Sequence, residues 1–134
     1  MNWNRTISLT ITTIMMLLSA CQKKADTEVK PDDVTISIAS PASKQIFHKG
    51  DTVKVNADVA YTEQLHGYIV TITNTANGVV VFETEGHSHS DHMAINETWV
   101  DTLNTSTELE LTVTAVIDHD ENLKNAKLIF NCQP

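Results

Sequence analysis

From residue 34 to the end of the chain, apolar and polar residues alternate with a period of two. Every second residue is apolar in the segment 53–61, and the segment 109–117 repeats the pattern. Such alternation is typical of a β-strand with one buried face and one solvated face. Further β-rich runs lie at 34–38, 68–72, 79–84, 95–101 and 126–132. No segment shows the spacing of an amphipathic helix, so the pattern predicts an all-β domain over 34–134.

Turn signals separate these runs. They include Ser40-Pro41, Gly50, the polar segment 104–107 and Asn77-Gly78. Asn77-Gly78 predicts a hairpin, because both residues tolerate positive φ. Seven short strands in about a hundred residues predict a seven-stranded antiparallel sandwich of two sheets. We expect the alternation to bury Val55, Ala57, Val59, Leu111, Val113 and Ala115.

The first twenty residues have the layout of a cleaved signal peptide. Arg5 supplies a positive charge, and the apolar segment 7–18 is too short to span a bilayer. Leu-Ser-Ala follows, and then Cys21. One interpretation is an ordinary secretory signal in which the cysteine occurs by chance.

The other interpretation is lipidation, because Leu-Ser-Ala-Cys resembles the bacterial lipobox. The resemblance implies cleavage before Cys21, diacylation of its thiol with palmitate-type chains, and stable membrane anchoring. Residues 21–33 are polar and contain Pro31, which predicts a flexible tether after the lipidated cysteine. In enterobacterial lipoproteins, a residue other than aspartate after that cysteine favours the outer membrane, and Gln22 fits this pattern. Whether the domain faces the periplasm or the cell surface stays open.

The chain is acidic, with a formal net charge of −8. Loss of Arg5 with the signal makes the mature chain more negative still. An acidic surface disfavours nucleic acid and is compatible with cations or basic partners. With Cys21 lipidated, Cys132 has no partner within the chain, so we expect a fold without a disulfide. Cys132 could be buried, a free thiol or an intermolecular bridge, and its alternating strand position favours burial.

A second resemblance concerns the topology. The residues Leu103, Thr107, Leu109, Leu111, Val113 and Ala115 have the spacing of the E–F corner and F strand of fibronectin type III domains. Thr105 replaces the proline of that pattern, and Leu109 replaces the corner tyrosine. The resemblance implies an immunoglobulin-like or fibronectin III-like sandwich, and it implies no function.

The segment 86–93 concentrates three histidines and a carboxylate. In an extended chain His87 and His89 project to the same side, His92 can fold back across a turn, and Asp91 offers oxygen. Neutral imidazole is a common ligand of zinc and copper. We therefore expect His87, His89 and His92 to bind one Zn²⁺ or Cu²⁺, with Asp91 or His119 completing the site. The alternative is an ordinary solvated loop.

The predicted strand order brings more histidines to the same end. Naming the strands A, B, C, C′, E, F and G puts the B–C, C′–E and F–G loops at one end of the sandwich. His66 and Glu63 lie in the first of these loops and His119 in the last, whereas His48 lies at the opposite end. The segment 86–89 also resembles a Gly-His-Ser-His stretch in small immunoglobulin-like bacterial lipoproteins of unknown function, which implies no chemistry.

Two classes of function remain after these observations. One is a membrane-anchored module that binds a divalent transition metal. The other is a surface adhesion, protein-interaction or glycan-binding domain without metal, for which Tyr61, Tyr68 and Trp99 are candidate sugar-stacking residues. We do not expect an enzyme: the sequence has no zinc-protease helix motif, no nucleophile elbow and no phosphate-binding glycine loop.

Overall fold

The computed structural model describes residues 30–120 and 122–134. The predicted signal peptide, Cys21 and the tether before residue 30 lie outside the described residues, as does Glu121. A 3₁₀ turn at Pro31–Asp33 precedes the strands β1 Thr35–Ser40, β2 Ile46–His48, β3 Thr52–Ala60, β4 Gly67–Asn74, β5 Val80–His87, β6 His92–Val100, β7 Thr107–Val116 and β8 Leu123–Gln133. Over these residues, no helix is long and apolar enough to cross a membrane.

The strands form two sheets. One has the order β1-β3-β6 and the other has the order β2-β8-β7-β4-β5. Neighbouring strands are antiparallel except for β2, which pairs with β8 in parallel. The predicted all-β sandwich is confirmed, with β2 as an eighth strand that the sequence pattern did not reveal.

The core lies between the two sheets and is built by the predicted alternation. All six residues expected in the core are buried: Val55, Ala57, Val59, Leu111, Val113 and Ala115. The short strand β2 contributes Phe47, whose ring meets that of Phe130 edge to face at a centroid distance of 5.7 Å. Packing of this aromatic side chain, together with the parallel backbone pairing to β8, holds β2 at the sheet edge.

The predicted hairpin at Asn77-Gly78 joins β4 to β5. Gly78 adopts a φ of +73°, and its N–H donates to the Asn74 carbonyl oxygen at 2.8 Å. The Asn74 N–H in turn donates to the Val79 oxygen at 2.8 Å. Gly78 alone of the pair has a positive φ, so the connection is longer than the two-residue turn that Asn-Gly favours.

The end of the sandwich opposite the histidine-rich loops contains a buried acid and a buried thiol. Asp101 is the one charged residue buried among those described, and its Oδ1 accepts the Leu103 N–H at 2.9 Å. Cys132 is also buried, as its strand position predicted. Burial and the neighbouring Asp101 carboxylate raise the pKa of the Cys132 thiol to about 12. The thiol is therefore protonated and unreactive at neutral pH.

Truncation of the core should test this packing. Leu111 is fully buried on β7, so Leu111→Ala should lower the free energy of unfolding by about 2–4 kcal/mol, because a cavity opens between the sheets. Thr114→Ala on the outer face of the same strand is the matched control and should change it by less than about 0.5 kcal/mol. Urea denaturation followed by circular dichroism measures both values. Equal effects of the two substitutions would contradict the assignment of inner and outer faces.

Candidate functional site

Three connections meet at one end of the sandwich, which we call the loop pole: residues 61–66 between β3 and β4, 88–91 between β5 and β6, and 117–122 between β7 and β8. Backbone hydrogen bonds join them. The Leu65 N–H donates to the Ser90 oxygen at 2.9 Å, and the Ser88 N–H donates to the His66 oxygen at 3.1 Å. The His66 N–H donates to the Val116 oxygen at 2.9 Å, at the end of β7. The position of His66 is thus fixed from both sides.

Leu65 anchors the first of these connections. Although it lies outside the strands, its side chain is fully buried in the core. Burying a leucine side chain contributes about 1.5–3 kcal/mol, enough to hold a short connection in place. Because Leu65 points inward, the next side chain, that of His66, is half-buried at the mouth of the loop pole.

His66 is the centre of a group of imidazoles. Its ring lies 3.9 Å from the His119 ring and 5.0 Å from the His89 ring, measured between centroids. His87 is close enough for its charge to act on His66 as well. We call His66, His87, His89 and His119 the imidazole cluster.

The environment favours the neutral form of His66. Burial lowers the pKa of His66 below its ordinary value of 6.5, and the neighbouring His119 and His89 lower it further. The Asp118 carboxylate acts in the opposite direction but is outweighed. The neutral imidazole is the form that can bind a metal ion.

Hydrogen bonds also position the neighbours of His66. The Asp118 carboxylate accepts the Asn122 side-chain amide at 2.7 Å and the Asp120 N–H at 2.9 Å, which closes the connection that contains His119. The bond from the Asn122 side chain is the main reason why the pKa of Asp118 is lowered. On the other side, the Gln64 side chain donates to the His89 carbonyl oxygen at 2.9 Å.

The structure brings together only some of the residues expected to bind metal. His87, His89 and His119 lie around His66, a residue that the sequence indicated only through the strand order. His92 lies elsewhere: it is the first residue of β6, and its Nε2 is 3.6 Å from Asp58 Oδ1.

The reason for the position of His92 is the early start of β6. Met93 is buried, so the alternation turns His92 to the outer face of the three-stranded sheet instead of back toward His87. Asp91 accepts the Tyr61 N–H through its backbone oxygen, and its Oδ1 lies 3.4 Å from the Ser90 hydroxyl.

The imidazole cluster is not a preformed coordination site. In the part of the chain that the structure describes, no group of three or more His, Cys, Asp or Glu side chains is arranged to hold a metal ion. The rings instead meet at interplanar angles of 83° and 48°. Rotation about χ2, which is broad for histidine, is needed to turn their nitrogen atoms toward one point.

A cavity of about 230 Å³ adjoins the cluster on the outer face of the five-stranded sheet. It is lined by His66, Gly67, Tyr68, Ile69, Glu85, Gly86, His87 and Val116. No side chain fits at Gly67, because a Cβ there would collide with the Gly86 carbonyl oxygen. The glycine therefore keeps the cavity open where it borders His87.

Tyr68 supports the cavity from below. Its ring covers Gly86, and its hydroxyl donates to Glu97 Oε1 at 2.7 Å, which links the two sheets. This hydrogen bond is the main reason why the pKa of Tyr68 is raised. The tyrosine is thus a structural support and stays protonated at neutral pH.

Comparison with known proteins gives a fold and no family. No protein-family model and no curated protein matches the chain. Among solved structures, it is similar to the fibronectin(III)-like modules of Clostridium thermocellum CbhA, with a TM-score of 0.50 and 13% identity over 74% of this chain and 96% of that chain. It is also similar to a CARDB domain from Pyrococcus furiosus in complex with di-metal ions, with a TM-score of 0.41 and 13% identity over 76% and 94%. The predicted fibronectin III-like sandwich is confirmed by the first of these.

The lowered pKa of His66 predicts how stability depends on pH in metal-free protein. Because the unfolded chain binds a proton more readily than the folded one, the contribution of His66 is fully present above pH 6.5 and is lost as the pH falls through its folded pKa. The urea midpoint should therefore decrease between about pH 7.5 and about pH 5.5, and His66→Asn should reduce this decrease. Equal pH dependence in wild type and His66→Asn would contradict the assignment.

Proposed function

We propose that this chain is a lipid-anchored, non-catalytic module that binds one divalent transition-metal ion, Zn²⁺ or Cu²⁺, at the loop pole. The observation that supports the proposal best is the contact of the His66 ring with both the His89 and His119 rings. These three imidazoles come from three separate connections, so no local sequence preference accounts for their meeting.

The electrostatic environment of the imidazole cluster favours binding of a cation. The neighbouring His119 and His89 help to lower the pKa of His66, so this ring favours the neutral form with a free nitrogen lone pair. A metal ion would bond to the lone pair of His66, which is half-buried, and to those of the exposed rings of His87, His89 and His119. The acidic chain, with a net charge of −8, also raises the local concentration of cations.

The ligands of the proposed site are His66, His89 and His119, with His87 as the fourth. Zinc takes about four nitrogen or oxygen ligands in a tetrahedral arrangement, which this set supplies after ring rotation. Copper binds the same donors more tightly, so availability decides which ion is bound. Because the core packs without the cluster, the bound ion serves a sensing, buffering or acquisition role rather than holding the fold together.

The proposed anchor places this site near the membrane. The backbone N–H of Lys30 donates to the Tyr61 hydroxyl oxygen at 3.4 Å, and Thr35 at the start of β1 pairs with Ala60 at the end of β3. The chain therefore enters the domain at the loop pole. A fully extended chain spans at most about 3.6 Å per residue, so a lipid on Cys21 holds the loop pole within roughly 30 Å of the bilayer. We propose that the protein is anchored to the outer membrane of a bacterium, where the domain faces either the periplasm or the cell surface.

Glycan binding has less support from the described residues. The candidate stacking residues Tyr61, Tyr68 and Trp99 are all partly buried and packed against the core. Sugar stacking requires an exposed aromatic face, and partial burial reduces the face that these side chains present. We therefore favour metal binding over the glycan-binding alternative.

Isothermal titration calorimetry with Zn²⁺ and Cu²⁺ tests the metal site. Wild-type protein should bind one ion, and His66→Ala and His119→Ala should each weaken binding by more than about tenfold, because each removes a ligand. Affinity should also decrease below about pH 6, where imidazole becomes protonated. His92→Ala and His48→Ala are the matched controls, since neither residue belongs to the imidazole cluster.

The outcomes separate the proposal from its alternatives. Absence of heat with either ion would leave the loop pole as an ordinary solvated surface. If His92→Ala lost metal binding and His66→Ala kept it, the ligands would instead be those that the spacing in the segment 86–93 predicts.

Mass spectrometry tests the anchor separately. In the bacterial membrane fraction, the mature N-terminus should be Cys21 carrying acyl chains, because two or three such chains hold a protein on a bilayer. Cys21→Ser should release the chain from that fraction, whereas Cys132→Ser should not. Recovery of an unmodified N-terminus at another residue would contradict the anchor without affecting the metal site.

A further inference from the structure

We infer that the free edge of β5 is a docking site for an extended peptide strand that carries basic side chains on one face and apolar side chains on the other. The peptide joins the five-stranded sheet as a further strand. This inference goes beyond the proposed metal site and does not depend on it, because it uses none of the imidazole side chains.

Strand β5 is the outermost strand of the five-stranded sheet. It pairs with β4 on one side, and no other described strand pairs with it on the other side. It is eight residues long and contains neither proline nor lysine, two residues with which proteins often block an exposed edge. The opposite edge of this sheet is β2, which has only three residues. β5 is therefore the long free edge of this sheet.

Backbone groups of alternate residues in β5 point toward this open edge. At the end of β5, the Ser88 N–H donates to the His66 oxygen at 3.1 Å. The Gly86 carbonyl oxygen is likewise turned toward β4, where it blocks a Cβ at Gly67. Because the hydrogen-bonding groups of an antiparallel strand alternate between its two sides, the residues between these face away from β4. Their N–H and C=O groups are free to pair with an added strand: Glu83, Glu85 and His87.

The outer side of this edge is acidic. Glu83 and Glu85 are exposed, and among the described residues neither forms an ion pair. Their partners on β4 are the neutral residues Thr71 and Ile69. Opposite charges on neighbouring strands stabilise their pairing, whereas like charges oppose it. The edge therefore favours a strand with lysine or arginine at alternate positions, and it disfavours a second copy of β5, which carries the same two glutamates.

The inner side of the same edge is apolar. Phe82 pairs with the fully buried Ile72, so its ring lies on the face of β5 that is turned toward the core. The ring packs against the core but stays partly exposed. An added strand would cover the exposed part with the side chains that it turns inward, and burial of apolar surface stabilises such a contact. The inward positions of the peptide are therefore apolar.

The other sheet also has a long free edge, along β6, but it lacks this combination. The side chains that β6 exposes beyond His92 and before its last residue are neutral: Ala94, Asn96 and Thr98. Its acidic residue, Glu97, is only partly exposed and accepts the hydrogen bond of Tyr68. A basic strand thus gains no opposite charge along β6, which makes that edge an internal control.

The test uses the full chain in a nonionic detergent, with a chelator present so that bound metal plays no part. The probe is a fluorescein-labelled peptide of the sequence Thr-Lys-Val-Lys-Val-Lys-Thr, followed by fluorescence polarisation. It should bind saturably. A peptide of the same composition in the order Lys-Lys-Lys-Thr-Val-Val-Thr should bind about fivefold more weakly, because its lysines and valines no longer lie on separate faces.

Hydrogen exchange followed by mass spectrometry locates the peptide on the wild-type protein. Exchange over residues 80–87 should become slower, because free N–H groups of β5 become hydrogen-bonded, while exchange over 92–100 should stay unchanged. Slower exchange over 92–100 instead, or over neither segment, would overturn the inference.

Two substitutions at one residue separate strand pairing from charge. Glu85→Gln removes the charge and should weaken binding about two- to fivefold, as expected for an exposed ion pair. Glu85→Pro removes the same charge together with the N–H at the open edge, which the sheet itself does not use, and should abolish detectable binding. Asp58→Asn, on the outer face of the other sheet, also removes one charge and should bind as the wild type does.

The other outcomes each contradict the inference in a different way. Equal affinity of Glu85→Gln and Glu85→Pro would mean attraction by charge without strand pairing. Slower exchange over 80–87 at higher protein concentration, without peptide, would mean that a second copy occupies the edge. If Glu85→Pro does not fold, the exchange measurement on the wild type decides between strand pairing and attraction by charge alone.

Discussion

The whole structure depends on burying one face of every central strand between two sheets. Alternation leaves no freedom of register, because a shift by one residue would expose Val53, Val55 and Val59 and bury the polar residues between them. Where the inner face of β3 ends, the chain has to cross to the other sheet over a short distance. Burial of Leu65 makes that crossing possible and brings His66 to the surface of the loop pole. The position of the candidate site thus follows from packing at the edge of the core.

The two ends of the sandwich differ in how deeply they bury their polar side chains. At one end, Asp101 and Cys132 are buried, and the raised pKa of the thiol keeps it protonated. At the loop pole, the imidazoles of His66, His89 and His119 are held close together without full burial. A buried polar pair contributes to a unique packing, whereas a partly exposed cluster is free to bind a ligand.

The sequence predicted most of the strands and the core, because alternation is a local signal that each strand carries in full. It did not predict β2, which has three residues and pairs with β8 at long range. Nor did it identify His66 as the centre of the cluster, since the direction of that side chain depends on the burial of Leu65. The spacing in the sequence groups His92 with His87 and His89, but it does not fix the residue at which β6 begins, and a shift of one residue decides which face of the sheet a side chain takes.

Stability and chemistry occupy different parts of the molecule, and this separation bears on the role of a bound ion. Among the described residues, the buried apolar core contains no histidine, so we expect the domain to fold without metal. Structural zinc sites behave in the opposite way, because their binding energy is folding energy. At the loop pole, an ion would gain only what its ligands provide, less the cost of rotating and ordering the rings. The proposed binding would therefore be reversible, and a reversible site beside the proposed membrane anchor would suit the capture and release of a metal better than its permanent storage.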